Sequence, residues 1–292
     1  MIKYSIKDLE KITGIRAHTI RIWEKRYGIV EPARTQTNIR YYSDENLRHL
    51  MNVAILNKYG YKISNIQSMS GEEIAKCVVD LTNQDTDNGH QVDNLIMAMM
   101  ELDEQRFNKI ITSSIIKQGF DYTFEHLLRA FLEKTGILWQ IGKIIPAQEH
   151  FISQLIRQKL ILAIDGQNQL KPGYKTFLLF LPENEFHELG LLYLNFLIRK
   201  AGHLVIYLGQ NVPTQDLSNV FDIHSVDFVL TSISTNQGED SLVAFLEEMS
   251  RIYSDRQILI GGNIIPGVSI NLPPNFRHID TLDSFSGFIN HL

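Results

Sequence analysis

The sequence predicts a multidomain protein of α plus α/β class, and three observations carry that prediction. At 292 residues the chain is longer than one typical domain of ~100–200 residues. Hydrophobic residues make up 44% and charged residues 21%, the balance of a globular chain rather than a disordered or collagen-like one. The apolar pattern also changes along the chain, from helical periodicity before residue 166 to short apolar runs alternating with helical ones after it.

Charge is distributed unevenly between the two ends of the chain. Residues 1–62 carry 12 Lys and Arg against 6 Asp and Glu, whereas the rest carries 16 against 27. A basic head on an acidic body suggests a nucleic-acid-binding module joined to a part with another task, with chance drift as the plainer alternative. One cysteine, Cys77, excludes an intramolecular disulfide, and we find neither a signal peptide nor a run of ~18 apolar residues. We therefore expect a cytoplasmic protein without membrane contact.

The basic head begins with two short helices. Ser5 is suited to cap the first helix and Gly14 to end it, with apolar residues at helical spacing between them. Residues 17–27 form a second amphipathic segment, in which Ile20, Trp23 and Tyr27 are expected to face inward and basic residues outward. Two short helices joined by a turn that contains glycine are typical of a helix-turn-helix.

A predicted wing and a further helix follow. Residues 28–42 (GIVEPARTQTNIRYY) combine Gly, Pro and polar residues with an aromatic pair, which favours a short β-hairpin. Ser43 then caps a helix with acidic residues in its first turn, and another short helix begins near Ser64. A winged helix-turn-helix is the predicted structure of residues 1–75.

This head resembles the DNA-binding domain of MerR-type transcription regulators over about 70 residues. The most specific pieces are RIWEKRYG in the second helix and RYYS at the end of the wing. The resemblance implies that the second helix and the wing bind a double-stranded DNA operator. The implied contact residues are Arg16, His18, Thr19, Arg21, Lys25, Arg26, Arg34, Arg40 and Tyr41.

The middle of the chain is predicted to be a helical bundle. Residues 82–91 (TNQDTDNGHQ) lack large apolar side chains, so we place a loop there, within a linker at 76–91. Residues 92–166 then contain four amphipathic segments with short connections, which predicts a four-helix bundle. Pro146 fits the first turn of its last helix.

Residues 167–292 are predicted to form a Rossmann-like, flavodoxin-like parallel sheet. Nearly uninterrupted apolar strands separated by helices indicate a parallel sheet that is covered on both faces. In such sheets ligands bind where strands end at their carboxyl side. The predicted strands are 175–181, 203–208, 226–231, 257–260 and 277–280, and the predicted helices are 188–201, 214–223, 240–253 and 284–290.

Three strand ends carry the residues of a second resemblance. Cobalamin (B12)-binding domains have the pattern D-x-H-x-x-G, then S-x-L, then G-G, and this chain has Glu185-x-His187-x-x-Gly190, Ser232-x-Ser234 and Gly261-Gly262. The resemblance implies that His187 is the lower axial cobalt ligand, that Glu185 fixes its second ring nitrogen, and that Ser232 and the glycines accommodate the nucleotide tail. Two departures are Glu185 for Asp and Ser234 for Leu. The alternative is a domain that has lost its ligand, in which His187 only caps a helix.

The bundle carries a third match, Trp139-x-x-Gly142 followed by Glu149-His150-x-x-Ser153. It resembles the W-x-x-G…E-H-x-x-S signature of the helical cap of such domains, which implies that Trp139 covers the upper face of the cofactor. Alternatively, Trp139 is a core residue and His150 is polar helix surface. As a whole the chain resembles the adenosylcobalamin-dependent, light-responsive repressors of the CarH/LitR type, although Gln140 stands where light-sensing members commonly carry His.

We therefore expect a transcription regulator without enzymatic activity that binds a cobalamin, and we expect that cobalamin to be adenosylcobalamin. Its binding is expected to control assembly into a homo-dimer or homo-tetramer and thereby DNA affinity. One alternative is a regulator whose last domain is cofactor-free and serves dimerisation or protein binding. A corrinoid methyl carrier would not begin with a DNA-binding head. A phosphoreceiver would need an Asp at the end of the third strand, where Thr231 and Ser232 stand.

Overall fold

The structure, a computed structural model, describes residues 4–35, 38–82, 88–140, 142–234, 239–262 and 272–292. Internal contacts divide the chain into two compact units, Met1–Ile152 and Ser153–Leu292. This division falls inside the last helix of the predicted bundle. The segment boundaries predicted at residues 75, 91 and 166 stay predictions.

The first unit begins with the predicted winged helix-turn-helix. Ser5 and Asp8 form a capping box at the start of the first helix, and Gly14 ends it in the left-handed conformation with φ 73°. Ser43 and Asn46 cap the long helix after the wing in the same way. The elements are α1 Ile6–Thr13, α2 Ala17–Tyr27, β1 Ala33–Arg34, β2 Arg40–Tyr41, α3 Asp44–Lys58, α4 Ile63–Ile66 and α5 Gly71–Thr82.

Part of the loop predicted at 82–91 is helical instead. Helix α5 runs to Thr82, and the next helix already begins at Asn88, so residues 88–91 are helical; residues 83–87 lie outside the described part. The first turn of the helix that begins at Asn88 is polar in sequence. Nevertheless the ring of His90 in this turn lies 4.4 Å from that of Tyr59, centroid to centroid. This tertiary contact supports a helical turn that composition alone does not predict.

Four helical segments follow, as predicted for the bundle. The third contains a π-helical stretch at Thr123–Leu128, a local widening of the helix that the sequence pattern does not reveal. Their apolar sides supply much of the core of the first unit, including Leu95, Phe107, Leu127 and Phe131. The segments are α6 Asn88–Glu101, α7 Glu104–Gln118, α8 Phe120–Tyr122 with the π-helical stretch and α9 Arg129–Gln140, and α10 Pro146–Asp165.

The second unit contains the predicted parallel sheet. All five strands are parallel and lie in the order β4-β3-β5-β6-β7, which is the flavodoxin-like order. The strands are β3 Thr176–Pro182, β4 Leu204–Val212, β5 Phe228–Ser232, β6 Gln257–Gly261 and β7 Phe276–His278. The helices are α11 Glu188–Lys200, α12 Leu217–Ile223 after a 3₁₀ turn at Thr214–Asp216, α13 Glu239–Ile252 and α14 Leu282–Asn290.

The strand order decides where a ligand could bind. From β3 the chain moves to the edge strand β4 and then returns to β5 on the other side of β3. The loops after β3 and β5 therefore leave the same edge of the sheet next to each other, at the switch point where such sheets bind ligands. Separately, none of the described helices is long and apolar enough to span a bilayer.

Candidate DNA-binding surface and cofactor site

Helix α2 has the two faces of a recognition helix. Ile20 and Trp23 are buried and hold the helix against the head, whereas its basic side chains point outward. All nine residues that the sequence predicts as DNA contacts are exposed or half-buried: Arg16, His18, Thr19, Arg21, Lys25 and Arg26 on or next to α2, and Arg34, Arg40 and Tyr41 on the wing. The apolar Ile22, exposed on α2 between Arg21 and Lys25, was outside that prediction.

The wing is anchored to α2 by Glu24. Its Oε1 accepts a hydrogen bond from Nε of Arg40 at 3.1 Å, and its Oε2 accepts one from the Tyr42 hydroxyl at 3.3 Å. Burial and the neighbouring Glu24 raise the pKa of Tyr42 to about 12, so the hydroxyl remains a donor at neutral pH. Arg40, predicted as a DNA contact, thus also holds the wing in place.

The loop after β3 presents the imidazole of His187. Oε1 of Glu185 lies 2.6 Å from Nδ1 of His187 and also accepts from the His187 backbone N–H at 3.0 Å. The Glu185 side chain is 0% exposed, whereas that of His187 is 66% exposed. A neutral imidazole that donates its Nδ1 proton to Glu185 carries its lone pair on Nε2, the arrangement found in histidines that ligate metals. The longer Glu side chain therefore reaches the ring that an Asp would orient.

Backbone contacts fix this loop to its neighbours. Oε2 of Glu185 accepts from the backbone N–H of Ser234, which follows β5, at 2.7 Å. Oδ1 of Asn211, at the end of β4, accepts from the backbone N–H of Asn184 at 2.9 Å. The loops after three neighbouring strands are thus tied together, and Ser234 contributes through its backbone rather than through the Leu side chain of the family pattern.

The ends of β5 and β6 supply the hydroxyl and glycine pieces. Ser232 is buried and pairs with Gly261 across the two strands. The neighbouring Thr231 is fully buried, and among the described residues its Oγ1 has no hydrogen-bond partner. A Cβ on Gly262 would lie 2.3 Å from the carbonyl oxygen of Ile233, so only glycine fits there. Thus Gly262 is needed by the fold itself, whatever ligand lies nearby.

A polar cluster next to His187 is not predicted by the sequence patterns. Glu188, the first residue of α11, is buried and accepts from Nε of Arg157 at 2.8 Å and from the Tyr207 hydroxyl at 2.9 Å. Burial and Glu188 together raise the pKa of Tyr207. These contacts join α10, α11 and β4, and they fix the start of the helix that follows His187. Residues 31 and 19 positions apart form them, so no local pattern reveals them.

The cap residues lie in the first unit. Trp139, near the end of α9, is 48% exposed and is therefore not a core residue. Gly142 takes the left-handed conformation with φ 65° and donates its N–H to the Trp139 carbonyl, which ends the helix. On α10, Oε2 of Glu149 lies 3.0 Å from Nδ1 of the exposed His150.

The loop after β3 offers one exposed imidazole, which is the kind of group that a corrinoid could take from the protein. Among the described residues no group of three or more His, Cys, Asp and Glu side chains could hold a metal ion by itself. A corrinoid needs only one imidazole from the protein, and His187 is exposed and oriented for that. Gly190 leaves open space on the same side of α11, since a Cβ there would meet nothing within 4 Å.

Comparison with known proteins gives one family match in the head and one in the helical bundle. Residues 4–72 match the family described as MerR HTH family regulatory protein, and residues 91–163 match the B12 binding domain family. Two relatives from Myxococcus xanthus are similar over most of their length. The HTH-type transcriptional repressor CarH is 29% identical over 245 residues, 81% of each chain, and the HTH-type transcriptional repressor CarA is 25% identical over 259 residues, 88% of this chain and 85% of CarA.

Among solved structures, the fold resembles that of the Methanosarcina barkeri monomethylamine corrinoid protein. The TM-score is 0.57, with 10% sequence identity over 70% of this chain and 99% of that one, which shows a shared fold alone. The chain thus combines a MerR-type helix-turn-helix segment at residues 4–72 with a B12-binding segment at residues 91–163, and it is similar to the CarH and CarA repressors over most of its length.

Proposed function

We propose that this protein is a transcription regulator, acting as a repressor, whose DNA binding responds to cobalamin. The observation that carries the proposal is the exposed imidazole of His187, held at Nδ1 by the buried carboxylate of Glu185, in a chain that begins with a basic recognition helix. Both relatives named above are transcriptional repressors, which supports a regulator rather than an enzyme. A cytoplasmic location fits a DNA-binding role and stays a prediction.

For the cofactor we propose that Nε2 of His187 is the lower axial ligand of cobalt. Cobalamin would supply a cobalt ion that an imidazole of the protein can ligate. Glu185 fixes the tautomer and ring orientation of His187, and Ser234 in turn fixes Glu185. Ser232 offers a hydroxyl group, and Gly261 offers backbone without a side chain, to the nucleotide tail. Gly190 leaves room beside the imidazole.

The form of cobalamin that we propose is adenosylcobalamin. The exposed indole of Trp139 is a large apolar surface suited to covering an organic upper ligand, and Glu149 with His150 offers polar groups on the following helix. A response to light is a further proposal. Gln140 in place of the His of light-sensing relatives weakens its support.

We propose that cobalamin changes DNA affinity in two ways, by assembling the protein into a homo-dimer or homo-tetramer and by acting within the single chain. Two recognition helices on one assembly would bind two half-sites of an operator together, which raises the overall affinity steeply. The exposed basic side chains of α2 and the wing would contact the phosphates.

A cofactor-free regulator is the second candidate, and one observation favours it. The glycine pair, one of the three motif pieces, is explained in part by the fold, since Gly262 cannot carry a side chain beside Ile233. In that case the sheet domain would serve only dimerisation or protein binding.

One experiment separates the two candidates. Purified full-length protein would be incubated in darkness with adenosyl-, methyl- and hydroxocobalamin, desalted, and examined by absorbance, size-exclusion chromatography and DNA titration, before and after illumination. We expect retention of cobalamin with a histidine-ligated spectrum, which His187→Ala abolishes and the exposed His291→Ala retains. Absence of uptake at micromolar concentrations would favour the cofactor-free regulator. Uptake with an unchanged spectrum in His187→Ala would keep the cofactor and discard this ligand.

A further inference from the structure

The loop behind the cap residue Trp139 reaches the DNA-binding head. Lys143 lies just after the end of α9, and its Nζ is 3.0 Å from Oδ2 of Asp8 on α1. The same ammonium lies 4.7 Å from the ring centroid of Tyr4. Only 12% of the Lys143 side chain is exposed, so the contact is shielded from solvent and stronger than an ordinary surface ion pair. It joins the cap to the head within one compact unit.

Both partners of Lys143 are structural residues of the head. Oδ2 of Asp8 also accepts the backbone N–H of Ser5 at 2.7 Å, which closes the capping box of α1. Burial alone would raise the pKa of Asp8, but the hydrogen bonds from Ser5 and Lys143 outweigh it and lower that pKa. The carboxylate therefore serves the helix start and the cap loop at once.

From Tyr4 the contacts continue to the recognition helix. Tyr4 and Tyr42 exchange two backbone hydrogen bonds, of 3.0 and 2.9 Å, in an antiparallel bridge. The Tyr42 hydroxyl donates to Glu24 on α2, which also holds Arg40 of the wing. A continuous series of contacts thus leads from Lys143, shortly after α9, to the surface predicted to bind DNA.

A second junction ties α9 to the head. The carboxylate of Asp93 on α6 accepts Nζ of Lys134, five residues before Trp139, at 2.6 Å. Its other oxygen accepts Nζ of Lys58 at the end of α3. Helix α9 is thus linked to the head on both sides of Trp139, through Lys134 before it and Lys143 after it.

The seam between α1 and α9 is incompletely packed. A groove of about 310 Å³ is lined by Lys11 of α1 and by Ala130, Glu133, Lys134, Ile137 and Leu138 of α9. A tightly interlocked apolar seam would resist rearrangement, whereas an open one can shift when its polar contacts change. The contact of Lys143 with Asp8 thus provides a polar link between the segment after α9 and α1.

We propose that the contact of Lys143 with Asp8 and Tyr4 transmits the state of the cobalamin site to the DNA-binding head. This inference rests on the proposed function. Cobalamin can change DNA binding by the head only if it binds two arrangements of the chain with different affinity. The loop after α9, the helix that carries Trp139, contacts α1 through Lys143, so a shift of α9 on cobalamin binding would reach the head. Lys143 is then a positioning residue: it contacts neither DNA nor cofactor, and its loss uncouples the two.

The test measures coupling in a single chain. Full-length protein would be titrated with a duplex that carries one binding sequence selected from a random library, with and without adenosylcobalamin in darkness, so that avidity between subunits plays no part. The variants are Lys143→Met, which keeps the aliphatic stem, Lys143→Arg, which keeps the charge, and Asp8→Asn, which can still cap α1. Lys117→Met, on the exposed end of α7, is the matched control.

We expect cobalamin uptake, read by absorbance, to be unchanged in every variant. The ratio of DNA dissociation constants with and without cobalamin should shrink by about threefold or more in Lys143→Met and in Asp8→Asn, a change within the range of allosteric couplings. Combining Lys143→Met with Asp8→Asn should reduce this ratio no further than either substitution alone, because both remove the same contact. Lys143→Arg and Lys117→Met should keep the wild-type ratio.

Two results would overturn the inference and differ in what they say of the proposed function. In the first, the protein takes up cobalamin, but Lys143→Met keeps the wild-type ratio of DNA dissociation constants, or cobalamin has no effect on single-site binding by the wild type. Lys143 would then have no coupling role, and the protein would be a cobalamin-binding regulator that works through oligomerisation alone. Absence of uptake in the wild type would remove both.

Discussion

The hydroxyl of Tyr42, a residue buried under the wing, donates a hydrogen bond to the carboxylate of Glu24 on the recognition helix. The same carboxylate pairs with Arg40, so one acidic residue on a basic surface fixes the angle between the helix and the wing. An acidic side chain near DNA is unfavourable for affinity by its charge alone. Its structural role and its charge therefore act in opposite directions.

Glu24→Gln separates these two effects. The substitution releases Arg40 and weakens the hold on Tyr42, so DNA affinity should fall by about three- to tenfold despite the gain in net positive charge, an effect of about 1 kcal/mol for a partly exposed pair. Fluorescence anisotropy with labelled operator would measure it. Glu31→Gln removes the same charge from an exposed site and should bind as tightly as the wild type or more tightly. Equal affinities for the two variants would contradict a wing-positioning role.

Arg21→Ala and Lys25→Ala test the exposed face of α2. If each side chain neutralises one phosphate, each variant should lower the slope of log affinity against log salt by about one unit. Titrations at four salt concentrations give that slope. Lys117→Ala, far along the chain in α7, should leave it unchanged. A variant that loses affinity only for one DNA sequence, with a wild-type slope, would instead identify a base contact.

Glu185→Gln tests the support of His187. The amide cannot match a carboxylate that accepts the Nδ1 proton and two backbone N–H groups, so cobalamin affinity should fall by about 10- to 100-fold, as for other residues that orient metal-bound histidines. Absorbance titration would report it. Glu247→Gln on α13 removes a charge from an exposed site and should bind normally. Wild-type affinity in Glu185→Gln would mean that the ring needs no anchor.

Gly262→Ala tests whether the glycine pair serves the fold. A Cβ would meet the Ile233 backbone at 2.3 Å, and φ is +94°, so we expect a loss of stability of about 2 kcal/mol or more with no cofactor present. At Gly261 the nearest atoms to a Cβ are 3.9 Å away, so Gly261→Ala should cost far less. Urea denaturation of both variants gives the comparison. Equal midpoints would show that the β5 and β6 ends can part freely.

His203 predicts how stability depends on pH. It is buried, its Nδ1 accepts the Lys175 N–H at 3.0 Å, and its Nε2 donates to the Ile289 carbonyl at 2.7 Å. Burial is the main cause that lowers the pKa of His203 below its usual 6.5, so the folded chain keeps it neutral while the unfolded chain takes up a proton. Stability should therefore fall as pH drops below about 6.5 and on through the lowered pKa.

Thermal denaturation at pH 7.5 and 5.5 checks this sign. In His203→Gln the imidazole hydrogen bonds are lost, so its Tm should be lower than that of the wild type at pH 7.5. Because glutamine cannot titrate, its Tm should also change less between the two pH values. Part of the slope should persist, because burial also lowers the pKa of His49. His291→Gln, on the exposed C-terminal turn, should keep the wild-type slope. A full slope in His203→Gln would assign the acid sensitivity elsewhere.

Much of the fold follows from patterns that are local in sequence. Helix α2 occupies residues 17–27 as predicted, and the five strands lie within a few residues of the predicted ranges, because caps, glycines and apolar runs act over a few positions. The π-helical stretch Thr123–Leu128 and the helical turn at Asn88 do not follow from such patterns. In the helical turn, the ring of His90 contacts that of Tyr59, 31 positions earlier.

The candidate site was predictable as a set of residues and not as a network. The motif spacing identifies His187 and Glu185, but Glu185 is secured by Ser234, 49 positions away, and Glu188 by Arg157, 31 positions away. Neither distance carries a periodic signal. In the same way, charge composition marks the head as basic but does not reveal that Arg40 pairs with Glu24.

The burial of Glu185 has a consequence for the stability of this domain. A carboxylate with no solvent exposure weakens a fold unless its hydrogen bonds offset the loss of hydration. Here the offset comes from the ring and backbone N–H of His187 and from the backbone N–H of Ser234. The contacts that orient the imidazole are therefore the same ones that make the buried charge tolerable, so the loop cannot release the ring without leaving Glu185 short of a hydrogen bond.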